Sequence, residues 1–230
     1  MSNIFYSKTP LTFLKKLCVC IFAFFMPFAF GACQRKTDYF SYVSELRDNV
    51  FLGVCDTLSI RVFSLIKESP YLTDGIPCET NVRTEVYVNA PSADKACAIS
   101  FSVGENTFSG EMSYDNVKGE YFYAEPVSSA DLSSIAFSVT YGENTYTITA
   151  NSVKESLTLT PKDALNIVVD AEPELFSSMT DKYGFTGEIY MRLIYEETPF
   201  YYVGVIERNG QVTAFLLNAN TGKIIAKRQP

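Results

Sequence analysis

The chain has 230 residues, 47% hydrophobic and 14% aromatic, with 19 Lys/Arg against 26 Asp/Glu for a net charge of −7. Histidine and tryptophan are absent. This excludes Ser-His-Asp and Cys-His nucleophile pairs, His-bearing zinc sites and His-ligated haem, removes the best stacking surface for sugars, and leaves an acidic chain that repels nucleic acid.

Lys8, Lys15 and Lys16 precede an apolar run from Leu17 to Ala32, with no acid before Asp38. The run spans 16 positions, short of the roughly 20 that a bilayer crossing needs, and Pro27 weakens a continuous helix. The order of charge, apolar run and small residues predicts an export signal over residues 1–32, with a permanent transmembrane anchor as the competing reading. Phe30-Gly31-Ala32-Cys33 resembles a lipobox, the bacterial lipoprotein pattern of an aliphatic residue, two small residues and the cysteine that receives a diacylglyceryl group. Phe30 stands where the aliphatic residue is usual. The resemblance implies lipidation of Cys33 and a place on the extracellular face of the cell membrane; the plainer reading is secretion with an ordinary cysteine. Two acyl chains hold a protein on a membrane where one holds it only reversibly.

Gln34 to Thr37 then reach at most ~14 Å, so residues 33–48 read as anchor and short spacer, with the folded part close to the bilayer. Loss of the signal removes three lysines and no acids, which takes the charge from −7 to near −10.

Residues 49–152 read as short strands at the spacing of an all-β unit. Cys97-Ile99-Phe101-Val103, Phe108-Gly110-Met112-Tyr114, Ile135-Phe137-Val139-Tyr141 and Tyr146-Ile148-Ala150 alternate apolar with polar residues, as half-buried strands do. Leu58-Ile60-Val62 and Val82 to Asn89 add two more. The expectation is an immunoglobulin-like antiparallel β-sandwich without the paired Cys and core Trp of antibody domains. Phe101 to Thr107 resembles Phe137 to Thr145 apart from a two-residue insertion, but shared turn chemistry accounts for that as well as duplication does. Cys55, Cys78 and Cys97 leave one cysteine over after any bridge, and the alternation at Cys97 favours a buried thiol.

Thr160-Pro161 with Asp163 predicts a helix start. Ala164, Leu165, Val168, Val169, Leu175, Phe176 and Met179 form one apolar face, with a kink or second start at Pro173 and a C-cap at Gly184. Four strands follow: Ile189 to Tyr195, Pro199 to Glu207, Gln211 to Asn218 after the Asn209-Gly210 turn, and Lys223 to Lys227. A helix on an antiparallel meander makes residues 160–230 an α+β unit. Tyr202-Val203-Gly204-Val205 and Leu216 to Ala226 resemble the end of a PepSY domain, whose last strand follows a D-A-x-T-G turn; Asn218 stands for the Asp. The resemblance implies a PepSY/cystatin-like fold and an exported or membrane-anchored bacterial protein, and it extends to protease propeptides with a proposed inhibitory role. The whole chain also resembles small lipoproteins of Gram-positive bacteria.

No catalytic, cofactor or metal residues emerge. Glu188, Glu196 and Glu197 flank one strand, and exposed carboxylates on opposite faces are favoured over an acid-base pair. Adjacent strand residues face opposite ways, so Phe122 and one of Tyr201 or Tyr202 point outward as a candidate binding surface. The sequence therefore points to a non-enzymatic lipoprotein that binds an envelope component, such as an exported peptidase. A structural subunit of a membrane complex is the alternative, and a carboxylate-dependent hydrolase comes third.

Overall fold

The computed structural model describes residues 37–230; the export signal over 1–32 and Cys33 lie outside the described residues. A 3-10 turn at Tyr39–Tyr42 leads into β1 (Val43–Cys55), so the first strand begins inside the stretch read as spacer. Glu45, Arg47 and Asp48 disguise it as a loop in the sequence. β2 (Leu58–Glu68), β3 (Thr80–Asn89), β4 (Cys97–Val103) and β5 (Asn106–Glu111) follow, then β6 (Ser113–Asp115), β7 (Glu120–Glu125), β8 (Ser134–Tyr141) and β9 (Asn144–Ser152). The Phe108-to-Tyr114 alternation is broken at Met112, where the chain leaves its β4 partner in β5 and pairs with β7 in β6.

The chain is mainly β and antiparallel. Where the spacing predicts two facing sheets, these strands instead make one barrel-like sheet in the order β5-β4-β8-β9-β1-β2-β3-β7-β6. Gly110 lets its ends approach, because a Cβ there would stand 2.7 Å from the Tyr123 ring on β7. Phe51, Ile60, Val62, Val88, Phe101, Phe137 and Ile148 fill the interior.

α1 (Pro161–Ala171) starts with the reciprocal Thr160–Asp163 capping box and buries Ala164, Leu165, Val168 and Val169. Pro173 begins a second helix, α2 (Pro173–Ser178). The expected C-cap at Gly184 is not one: the helix ends at Ser178, and Gly184 (φ +129°) belongs to a short ribbon of β10 (Thr180–Asp181) and β11 (Gly184–Phe185). β12 (Glu188–Glu196), β13 (Thr198–Ile206), β14 (Val212–Asn218) and β15 (Ile224–Arg228) form the antiparallel meander. In the turn before β15, the Asn218 carboxamide oxygen accepts the Asn220 and Thr221 amides at 3.0 and 2.9 Å, the role an Asp would play. A second core of Leu165, Val168, Phe176, Met191, Leu193, Val203 and Phe215 lies between helices and meander. Each such side chain contributes ~1.5–3 kcal/mol by burial. Among the described residues, no helix is long and apolar enough to cross a membrane.

β1 joins the two cores. Along one edge it pairs with β2 from Glu45 to Cys55. Along the other, residues 43–47 pair with β12 in parallel, and Phe51 and Leu52 pair with β9. A bulge at Asp48 separates these partners, and the fully buried Asn49 fills the fork. Its amide donates to Ala130 O at 3.1 Å, and its oxygen accepts from Ser152 Oγ at 2.7 Å. Residues 38–230 form one compact unit, and the boundary read at residue 49 falls inside β1.

Replacing Asn49 by Ala strips both bonds from a buried fork. It is expected to lower the unfolding free energy by about 1–3 kcal/mol while both cores still unfold in one urea transition. Separate transitions for the barrel-like part and the helix-bearing part would show that β1 does not couple them.

Candidate functional site

Pairing across β12, β1, β2, β3 and β7 puts alternate side chains on the sheet face opposite the helices. Tyr190 and Arg192 stand beside Glu45 and Arg47, Lys67 faces Glu45, and Phe63, Arg61, Tyr87 and Phe122 continue the row. Six of the 19 lysines and arginines lie here: Arg47, Arg61, Lys67, Arg83, Lys118 and Arg192. An acidic protein thus gathers six cations on one face, with Glu45, Glu85 and Glu120 among them.

Rings and cations alternate in contact. The Arg47 guanidinium lies 3.7 Å over Phe63, Phe63 packs 5.5 Å from Tyr87, and Tyr87 packs 5.1 Å from Phe122. Lys118 Nζ is 4.4 Å from the Tyr87 ring and donates to its hydroxyl at 3.2 Å. At the other end Tyr190 stacks on Tyr202, with Arg192 4.9 Å from the Tyr190 ring. Gly204 makes room for this stack, since a Cβ there would fall 2.2 Å from Tyr190.

Three carboxylates on the face, Glu45, Glu85 and Glu120, are engaged. Glu45, nearly buried, takes a two-pronged contact from Arg192 at 2.5 and 3.1 Å, with Lys67 at 3.5 Å. Burial works against its charge, but the hydrogen bond and charge of Arg192, with Lys67 and Arg47 adding, hold its pKa below the ordinary value. Burial likewise opposes charge on Arg192, and Glu45 outweighs it, so the Arg192 pKa is raised. Glu120 takes both its contacts from Arg61, at 2.9 and 3.1 Å. Glu85 accepts from Tyr87 at 3.0 Å and pairs with Arg83 at 3.4 Å.

A strap, residues 69–79, crosses one end of this face. Glu188 fixes it from below, accepting from Gly75 N at 2.9 Å and from Ser44 Oγ at 2.7 Å. The Cys78 amide donates to Glu68 at 2.8 Å, and the Tyr71 ring covers Lys67, whose Nζ is 4.1 Å from its centroid. A cleft of about 760 Å³ opens beside the strap, lined by Lys67, Tyr71, Arg83 and Glu125. A second, of about 310 Å³, lies between Arg47, Arg61, Lys118 and the end of β12.

Of the sequence-nominated surface residues, Phe122 and Tyr202 share this face, at its two ends. Tyr201 points the other way, is 1% exposed, and donates to Leu159 O at 3.0 Å in the helix-side core. Glu188, expected to be exposed, is fully buried, while Glu196 and Glu197 are exposed. Glu188 and Glu196 close opposite ends of β12, ~26 Å apart by strand rise, so that pair does not converge. Cys55, Cys78 and Cys97 are free thiols. Cys97 is buried, which pushes its pKa up to about 11. Sequence reasoning missed the cations on β1, β2 and β12; the signal was present in the alternation Glu45-Arg47 and Arg61-Phe63-Leu65-Lys67.

Neither a protein-family model, nor a curated protein, nor a solved structure matches this chain. The reading of the face therefore rests on its own chemistry.

Two of the buried glutamates, Glu188 and Glu45, give opposite pH signatures. Burial raises the Glu188 pKa above 4.5, with Glu68 and Asp74 adding repulsion and the Ser44 and Gly75 bonds opposing. The folded state then holds a proton that the unfolded state releases, so stability falls as pH rises from 4.5 through the folded value. Glu45 lies below 4.5, so its stabilisation is present above 4.5 and lost as pH falls through its folded value. In urea melts across pH 3 to 8, Glu188→Gln should gain relative to the unmodified protein as pH rises, and Glu45→Gln should lose. Shifts of the same sign would show that one assignment is wrong.

Proposed function

We propose that the chain is a membrane-anchored extracellular lipoprotein acting as a non-enzymatic binding module for an envelope component, which it engages through the cation and aromatic face. One observation carries the binding reading. On a chain of net charge −7, six cations gather on one sheet face, interleaved with Phe63, Tyr87, Phe122, Tyr190 and Tyr202. Arginine and aromatic side chains are the ones enriched in recognition surfaces, and four of these six cations are arginines. The address rests on the basic start, the apolar run and Cys33, and a short spacer keeps this face within reach of neighbours in the membrane. The helix-and-meander part is read as PepSY-like on Tyr202 to Ala226, which supports an exported setting and favours a peptidase as the envelope component. In that case the module regulates cleavage by occupying a surface rather than by presenting a scissile bond.

The anchor is tested by feeding cells a clickable fatty acid: the unmodified chain should be labelled and partition with membranes, and Cys33→Ser should lose both. Equal labelling of the two would remove the anchor. For the binding face, a photoreactive residue at Tyr202 or Phe122 in the membrane-bound chain should capture an envelope protein. The same residue at Tyr183, exposed in the β10–β11 turn, should not. Equal capture from all three positions, or none from the face, would count against the reading. A captured peptidase should cleave its substrate more slowly when the protein is added.

A further inference from the structure

We propose that the cleft beside Arg47 is a binding site for an organic carboxylate with an apolar body, taken by the free edge of the Arg47 guanidinium. This deepens the reading of the face as a binding surface and rests on it.

Arg47 is the unmatched group on that face. Glu45 is held by Arg192 and Lys67, Glu85 by Arg83 and Tyr87, and Glu120 by Arg61. Among the described residues Arg47 has no ion pair and no hydrogen bond, and its Nε is buried without a partner. Phe63 covers a face of the guanidinium at 3.7 Å. Stacking holds the group flat and leaves its in-plane donors free. A fork of donors presented edge-on matches the two oxygens of a carboxylate. Burial lowers the Arg47 pKa, and the neighbouring Arg192 adds repulsion, against the pull of Glu45 and Glu85. An anion in the cleft relieves both penalties.

The lining narrows the ligand further. At about 310 Å³ the cleft lies at the small end of the ~300–1,000 Å³ of ligand cavities. Val50, Phe63 and Ile194 supply apolar lining, and Arg61, Lys118 and Glu196 line the cleft as well. With Arg61 neutralised by Glu120, Arg47 and Lys118 face one carboxylate, a balance that suits a monoanion. An apolar lining suits a carbon skeleton better than a bare, fully hydrated phosphate. Because Arg47 and Lys118 already lie against Phe63 and Tyr87, the cleft reads its ligand by guanidinium edge and apolar lining, not by ring stacking.

Isothermal titration of the full-length chain with 3-phenylpropionate, its primary amide and inorganic phosphate tests this. The acid should bind with Kd on the order of 1 mM or tighter, the amide should bind at least about tenfold more weakly, and phosphate should not compete. Arg47→Gln should weaken the acid about tenfold or more, and Arg47→Met should abolish binding without lowering the melting temperature, because it removes an unpaired charge from a half-buried site. Gly-Gly-Phe with a free carboxylate, set beside its amidated form, separates the sources. Tighter binding than 3-phenylpropionate assigns the site to a peptide C-terminus, and weaker binding assigns it to a free acid. Equal binding of acid and amide, displacement by phosphate, or unchanged affinity in Arg47→Gln would overturn the site. Any of these with crosslinking from Tyr202 intact would leave the binding face standing and remove only this ligand.

Discussion

Everything in residues 38–230 depends on how one strand divides an edge. β1 offers β12 its first residues and β9 its later ones, and a strand cannot serve two partners on one edge without a break in register. The bulge at Asp48 supplies that break. Bulges bend a strand and increase its local twist, and the bend here separates a barrel-like core on one side from a helix-covered core on the other. The fork would expose backbone donors and acceptors to a dry interior if nothing filled it. Asn49 does so with both ends of its amide, and the β9 terminus is stitched to it through Ser152. Two cores of modest size are thereby coupled through Asn49 and the long hairpin of β1 and β2.

The same division creates the cationic face. Before the bulge, β1 points Glu45 and Arg47 away from the helices, and the parallel register with β12 sets Arg192 beside them. A carboxylate that is almost fully buried needs partners of opposite charge, because an uncompensated buried charge is strongly destabilising. Arg192 and Lys67 satisfy Glu45 and leave Arg47 over. The surplus is therefore a product of strand geometry rather than of composition, and no count of charged residues would locate it.

Much of the second half was legible because local chemistry decides it. Thr160, Pro161 and Asp163 specify a helix start whatever surrounds them, and Asn209-Gly210 specifies a tight turn. The strands of β4, β8 and β9 declared themselves by alternation. What was illegible is what depends on distant partners. Residues 43–48, the start of β1, carry charges that read as a spacer, and only β12, more than a hundred residues later in the chain, makes them part of a strand. Met112 interrupts an apparently continuous alternation because the chain exchanges one partner for another there. Tyr201 and Tyr202 are neighbours of identical type; the sequence can say that one faces out, while the register against Arg192 is needed to say that it is Tyr202. Glu188 looked like a surface acid because nothing nearby in sequence foretells the strap that buries it.

Net charge is consequently a poor guide to what this surface attracts. At physiological ionic strength charges are screened over ~8 Å, so a partner approaching the sheet face responds to the arginines and lysines within that distance and hardly to acids elsewhere on the molecule. Aromatic rings sharpen this further by holding the cations flat against the sheet, as Phe63 does for Arg47 and Tyr190 for Arg192. On this face Phe63 and Tyr190 thus help to fix where the positive charge points, while many of the other aromatic rings fill the two cores.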